Sequence, residues 1–246
     1  MAARPRAVIL GAYGDIGGAC ARLLAAEGWN LVLVGRDARK LLAITHDIRG
    51  GECDVVTHCA DMESSEDTRR AVDSIHKSYG EIRGLVNAVG VRGTRWEEST
   101  AEAWHRTLQV NVVSFVEWVR GLQDLLAASG RGAVVSVSSL AAREGYYKPD
   151  YSASKAALEA ATRSVAVLLA RSGVRANCVA PGPVVGRMTA SWDACRRDAA
   201  IRRIPLGRLA SPDDVAAGVA FLLSSRAEGI TGAVLEINGG VGCCFL

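Results

Sequence analysis

Apolar positions along the chain fall into two alternating kinds of run. Short, continuous apolar stretches occupy Ala7–Leu10, Leu31–Val34, Asp54–Cys59, Gly84–Ala88, Ala133–Val137, Arg175–Val179 and Ala233–Ile237. Continuous rather than alternating runs of this length predict strands covered on both faces. Between them lie Ile16–Glu27, Ala38–Ile48, Ser65–Tyr79, Ala101–Ala128, Tyr151–Arg171 and Pro212–Ser224, where apolar residues recur at helical spacing. Gly28, Gly80, Gly130 and Gly173 stand where a left-handed C-cap is wanted. Ser211-Pro212-Asp213-Asp214 opens the last helix with an N-cap and a proline at the first position. Repeated strand–helix–strand units predict an α/β fold: a doubly wound parallel sheet of about seven strands with helices on both faces. No Pro/Gly/Ser-rich linker divides the chain, so a single domain spanning residues 1–246 is expected.

Composition narrows the partners. Hydrophobic residues make up 49% and aromatics 5% of the 246 residues, so the core is built from Ala, Val, Leu and Ile. A net charge of +3 with dispersed arginines gives no reason to expect nucleic acid. No long apolar run or cleavage site suggests a membrane span or secretion. The seven cysteines form no CxxC pair or metal spacing and read as reduced thiols, mostly small core residues, of a cytoplasmic protein; no metal is expected.

The first strand runs into Gly11-Ala12-Tyr13-Gly14-Asp15-Ile16-Gly17-Gly18 and then a helix. Glycines admit backbone N–H groups to a diphosphate, and the helix N-terminus favours negative charge. Asp15 would repel that diphosphate and is expected to point away from it, as a helix cap. The second strand ends at Gly35-Arg36-Asp37. Arg36 suits a ribose 2′-phosphate, and Asp37 one place later reads as a cap, which favours NADP (NADPH) over NAD. Past the third strand Asp61, followed by Met62, is placed to accept from an adenine amino group, or else to cap the next helix.

Tyr151-Ser152-Ala153-Ser154-Lys155 opens a helix, so Tyr151 and Lys155 share a face. A tyrosine of ordinary pKa near 10 is poorly matched to proton transfer at neutral pH, and a neighbouring ammonium lowers that value. Upstream, the strand ending Ser136-Val137-Ser138-Ser139 places hydroxyls at the edge of the sheet where open α/β folds bind ligands.

These motifs together resemble a classical short-chain dehydrogenase/reductase over nearly the whole chain, in closest look a β-ketoacyl-ACP reductase. The resemblance extends through Leu85–Gly90, Val110-Asn111-Val112, Asn177–Gly182, Ile204–Leu209, Ile230–Gly232 and Asn238–Gly240. It implies a Rossmann-type fold and reversible hydride transfer between NADPH and a ketone or secondary alcohol, free or carrier-linked. Tyr151 would be the general acid/base, Lys155 would bind the nicotinamide ribose, and Asn111 would hold a water in a proton relay. Strand-end context matches the substrate-polarising serine to Ser139, while the usual spacing before the tyrosine picks Ser138; Ser139 is favoured. The cofactor set is Gly11, Tyr13, Gly14, Asp15, Ile16, Gly17, Arg36, Asp61, Met62, Asn87, Tyr151, Lys155, Pro181 and Gly182. A homotetramer, or homodimer, is implied, with Ala101–Ala128 and Tyr151–Arg171 against their symmetry mates.

The chain departs from the family pattern in four places, the first being Leu10 where a threonine usually precedes Gly11. Asp15 replaces a family glycine, Asn87-Ala88-Val89-Gly90 loses one asparagine, and Gly186 stands near the threonine that commonly touches the cofactor, with Thr189 a candidate replacement. The glycine spacing is also that of epimerases or dehydratases with retained cofactor, and an idle nucleotide-binding scaffold is the other alternative. Substrate choice should come from Ala141–Asp150, a lid at about 183–204 and Arg92–Trp96. Tyr146, Tyr147 and Trp192 would form an apolar wall. The arginines at 187, 196, 197, 202 and 203 would draw an anionic or carrier-bound ketone, or form a solvated face.

Overall fold

The computed structural model describes residues 4–48 and 53–242. Seven strands run in chain order as β1 (Arg6–Leu10), β2 (Asn30–Gly35), β3 (Val55–Cys59), β4 (Gly84–Asn87), β5 (Ala133–Val137), β6 (Arg175–Pro181) and β7 (Val234–Ile237). They form one sheet in the order β3-β2-β1-β4-β5-β6-β7, and every pairing is parallel. The helices are α1 (Asp15–Ala26), α2 (Ala38–Ile48), α3 (Ser65–Ser78), α4 (Ala101–Leu108), α5 (Ser114–Ala128), α6 (Pro149–Leu169), α7 (Ala194–Arg202) and α8 (Pro212–Leu223).

The continuous apolar runs have a direct cause. Ala7, Ile9, Leu31, Leu33 and Val135 face one side of the sheet, packed on Leu24 of α1, Leu41 and Ile44 of α2, and Val215 and Val219 of α8. Their neighbours Val8, Leu10, Val32, Val34 and Val134 face the other, against Ile75 of α3, Phe115 and Trp118 of α5, and Leu158 of α6. Both parities of β1, β2, β4, β5 and β6 are buried, so both are mostly apolar, whereas the edge strands β3 and β7 are only partly covered.

Two predicted helices differ, and one helix was not predicted. Ala101–Ala128 is not one helix: a π-helical turn over Gln109–Val113 separates α4 from α5. There Ser114 N–H reaches back to Gln109 O and the Ser114 hydroxyl donates to Val110 O at 2.7 Å. The bulge places Asn111 inward, fully buried. Helix α7 has no buried residue and therefore no apolar stripe to betray it; Asp193 caps it by accepting from Arg196 N–H at 2.7 Å. Helix α6 begins two residues earlier than predicted, with Pro149 in its first turn.

Gly28, Gly130 and Gly173 take left-handed backbone conformations, whereas α3 ends at an extended Tyr79 and Gly80 is not left-handed. The Ser211/Asp214 pair forms a reciprocal capping box at α8. Of the cysteines, Cys20, Cys53, Cys59, Cys178 and Cys195 are free thiols, but only Cys20 and Cys178 are buried; Cys59 and Cys195 are exposed. Cys243 and Cys244 lie outside the described residues. Among the described residues no helix is long and apolar enough to cross a membrane.

Candidate active site

A cleft of about 990 Å³ opens along the carboxyl ends of the strands, the edge where open α/β sheets bind ligands. Gly11, Tyr13, Gly14, Asp15 and Ile16 line one end; Arg36, Asp61 and Met62 flank it; Ser139, Tyr151, Lys155, Pro181 and Gly182 line the rest. Three expected residues stand behind the wall. Gly17 packs on the loop, where any Cβ would collide with Gly11 O. Asn87 is buried at the end of β4, its Oδ1 accepting from Val89 N–H at 3.3 Å. Asn111 lies behind residues 89–91.

The phosphate end is formed by the tight β1–α1 turn. Gly11 takes φ +73°, and a Cβ there would approach Ala88 O to 2.9 Å, so only glycine fits. Gly14 is the N-cap residue of α1 and no side chain caps that end. Asp15 is therefore not the expected cap; its carboxylate turns toward the segment after β6, accepting from Arg187 N–H at 2.7 Å and Arg187 Nε–H at 3.2 Å. At the tip of β2, Arg36 is exposed and its guanidinium has no hydrogen-bond or ion-pair partner among the described residues. Asp37 accepts from Arg39 N–H and Lys40 N–H at the start of α2. Those contacts, Lys40 N–H first, hold its carboxyl below the usual carboxylate range. Asp61 accepts from Glu63 N–H at 3.0 Å, while the α3 cap is Ser64, accepting from Asp67 N–H at 3.1 Å. Met62 is buried under Trp118, whose Nε1–H points at its Sδ. Thr189 is no replacement hydroxyl: its Oγ1 donates within its own turn, to Val184 O at 2.9 Å, and accepts from Gly186 N–H.

The catalytic end is held from four directions. Lys155 is almost fully buried; its Nζ donates to Val137 O at 2.9 Å and lies 5.8 Å from the Tyr151 ring centroid. Gly90 keeps that ammonium open, since a Cβ there would sit 3.2 Å from it. Burial pushes the Lys155 pKa down to about 8. Burial also dominates Tyr151, holding the phenol above its ordinary value, with Ser139 and Arg92 pulling it back down. The downward pull expected from Lys155 is not seen; what lowers the phenol is Ser139 and Arg92, and desolvation outweighs both.

The two candidate serines separate clearly. Ser138 is buried and donates to Glu159 Oε1 at 2.9 Å, whereas Ser139 is only half-buried, its Oγ accepts from Ala141 N–H at 3.2 Å, and it pulls the Tyr151 phenol pKa down. Asn111 uses its whole side chain as a brace: Oδ1 accepts from Val91 N–H at 2.8 Å, and Nδ2 donates to Val91 O and to Ser154 Oγ at 2.9 Å. Ser154 in turn donates to Tyr151 O at 2.7 Å.

Sequence reasoning missed Asp150 and Glu159. Asp150 is fully buried in the first turn of α6 and accepts from Thr94 N–H, Thr94 Oγ1–H, Thr107 Oγ1–H and Tyr151 N–H. It ties α4, α6 and the loop after β4 together beside Tyr151, and the helix N-terminus favours its charge. Glu159 joins Ser138 to Arg143 and Arg163, and Arg143 also pairs with Glu236. A carboxylate just before a helix start reads as an ordinary cap, which gave Asp150 no distinguishing signal.

The family model described as Enoyl-(Acyl carrier protein) reductase matches residues 11–242. The chain is 32% identical to cis-4-hydroxycyclohexanecarboxylate dehydrogenase of Sinomonas cyclohexanicum over 95% of each chain. The chain belongs to the short-chain dehydrogenase/reductase family. Another relative, the 3-oxoacyl-[acyl-carrier-protein] reductase of Thermotoga maritima, is 29% identical over 95% of this chain and 96% of its own. The structure of L-sorbose reductase from Gluconobacter frateurii, complexed with NADPH and L-sorbose, superposes with a TM-score of 0.92 at 28% identity, covering 99% of this chain and 98% of that one.

As a short-chain dehydrogenase/reductase the protein is an oxidoreductase, of a family that uses nicotinamide cofactors. The cleft fits such a group. The start of α1 lacks a side-chain cap, Lys155 lines the cleft beside Gly90, and Nδ2 of buried Asn87 has no partner among the described residues.

Proposed function

We propose that the protein reversibly reduces a ketone to a secondary alcohol with NADPH, Tyr151 exchanging the proton at the substrate oxygen. The observation that carries this reading is the cleft wall that Ser139, Tyr151 and Lys155 share. Ser139 polarises the carbonyl. Tyr151 is protonated at neutral pH, the form that donates to a nascent alkoxide. Lys155 offers the positive charge that stabilises the phenolate left behind, and donates to a ribose hydroxyl. Asn111 acts as a brace for α6 and the loop after β4. Bound nicotinamide supplies or accepts the hydride.

Gly11, Gly14, Ile16, Pro181 and Gly182 form the dinucleotide cradle, with Asp61 and Met62 beside the adenine. The free guanidinium of Arg36, with Asp37 engaged at the start of α2, supports NADPH over NADH. The substrate end is lined by Arg92, Tyr146, Trp192 and Arg203. Arg92, whose Nη2 donates to Met188 O at 2.9 Å, and Arg203 bring positive charge to this end, which supports a ketone bearing a carboxylate or a carrier-linked acyl group. The named substrates of the Sinomonas and Thermotoga relatives are of those two kinds.

Residues 1–246 act as one dinucleotide-binding and catalytic domain, with 183–204 as a short lid. The protein works in the cytoplasm as a homotetramer, or a homodimer. Val113, Val167 and Leu168 are 41%, 78% and 74% exposed on the surfaces assigned to that contact. The deciding experiment is oxidation of NADPH and NADH against a panel of neutral and carboxylated ketones. Turnover should be faster with NADPH and fall about 10²–10⁴-fold in Tyr151→Phe. A variant as active as the wild type overturns the mechanism. Nucleotide that co-purifies and is never consumed would instead favour the epimerase or dehydratase alternative.

A further inference from the structure

Two departures from the family pattern, 171 residues apart in sequence but in direct contact, explain each other. Asp15 opens α1, where a lone carboxylate would repel a diphosphate seated on the helix N-terminus. Both of its oxygens are engaged by one residue at the start of the lid: Arg187 N–H donates to Oδ2 at 2.7 Å and Nε–H to Oδ1 at 3.2 Å. The same guanidinium donates through Nη2 to Tyr13 O at 3.3 Å and lies 3.4 Å from where a Gly14 Cβ would be. It therefore rests on the glycine turn itself, and Gly14, Asp15 and Arg187 all line the cleft. Gly186 makes the approach possible. Its φ is +154°, and any Cβ would collide with the Asp15 carboxylate. The position near which the family carries a cofactor-touching threonine is thus closed to a larger side chain by Asp15, and the hydroxyl of Thr189 is engaged in its own turn.

We propose that Asp15 and Arg187 form a charge-compensated latch that fastens the lid to the glycine loop and holds the Arg187 guanidinium against the diphosphate of the bound dinucleotide. Arg187 is a positioning residue and electrostatic partner, replacing the hydroxyl this lid lacks. The latch rests on the dinucleotide reading of the cleft. It acts at the diphosphate common to NADPH and NADH, whereas Arg36 acts at the 2′-phosphate that only NADPH carries.

The test is equilibrium titration of NADPH and of NADH, separately, by nucleotide fluorescence. It uses the wild type, Arg187→Ala, Asp15→Ala, the double variant and Arg36→Ala. The Asp15 and Arg187 side chains are 34% and 60% exposed, so their truncation leaves the core intact; thermal unfolding verifies this. Arg187→Ala should weaken both nucleotides by the same factor, about tenfold or more, because it leaves the Asp15 charge uncompensated. Asp15→Ala should weaken them less, and the double variant should recover part of the Arg187→Ala loss. Arg36→Ala should weaken NADPH alone. Wild-type affinity in Arg187→Ala, or a double-variant loss equal to the sum of the single losses, overturns the latch while leaving the dinucleotide site standing. A wild type that binds neither nucleotide removes both.

Discussion

At the phosphate end of the cleft, Asp15 and Arg187 are 34% and 60% exposed and joined by one ion pair. At the catalytic end, Asn111, Asp150 and Ser154 are fully buried, and Tyr151 and Lys155 are 9% and 3% exposed. The phosphate end relies on backbone groups and long, screened side chains, so its residues can be removed with little effect on the fold. At the catalytic end Asn111, Asp150, Ser154 and Glu159 hydrogen-bond other buried groups. Removing a member there leaves a partner unpaired. Binding and stability are separable at one end and coupled at the other.

The largest test of this contrast sets Ser139 against Ser138. Ser139→Ala should lower kcat by about 10²–10³-fold, as for loss of a donor aimed at the reacting oxygen, with little change in Tm. Ser138→Ala should act mainly on Tm, because Ser138 satisfies buried Glu159. The reverse pattern would place the polarising hydroxyl on the other serine. A smaller effect is expected for Asp150→Ala, which strands the Thr94 N–H and Thr107 hydroxyl. Thermal and urea unfolding should show a loss of about 1–3 kcal/mol, with kcat falling more than KM rises. An unchanged Tm would break the argument that the network is shared between stability and catalysis. The mildest effect is that of pH. Burial lowers the Lys155 pKa to about 8, so ketone reduction should hold steady below pH 8 and decline above it as the ammonium loses its proton. Tyr151, raised by burial, must be deprotonated to act as a base, so alcohol oxidation should climb with pH over the same range. Initial rates in both directions across pH 6–10 would reveal whether the slopes are opposite.

Much of the fold was legible because its signals are local. The paired parities of Ala7–Leu10 and Leu31–Val34, the glycine turn before α1 and the Ser211 cap each declare themselves within a few residues. Helix α7 escaped because it buries nothing, and the break at Gln109–Val113 escaped because periodicity continues through a π bulge. Within the site, Gly11, Arg36, Ser139, Tyr151 and Lys155 were readable as types at positions. Asp150 and Glu159 were not, since a carboxylate at a helix start or on a helix face looks the same whether solvated or enclosed.

The sequence by itself determined the strand–helix alternation, the two ends of the cleft and the Tyr151/Lys155 spacing. The tertiary structure decided that Ser138 is turned to Glu159, that Asn111 braces Ser154 from 43 residues away, and that Asp15 meets Arg187 across 172. Propensity and periodicity are properties of neighbours in the chain. Desolvation and charge pairing depend on which distant groups folding brings within about 3 Å of one another, and no local pattern encodes that.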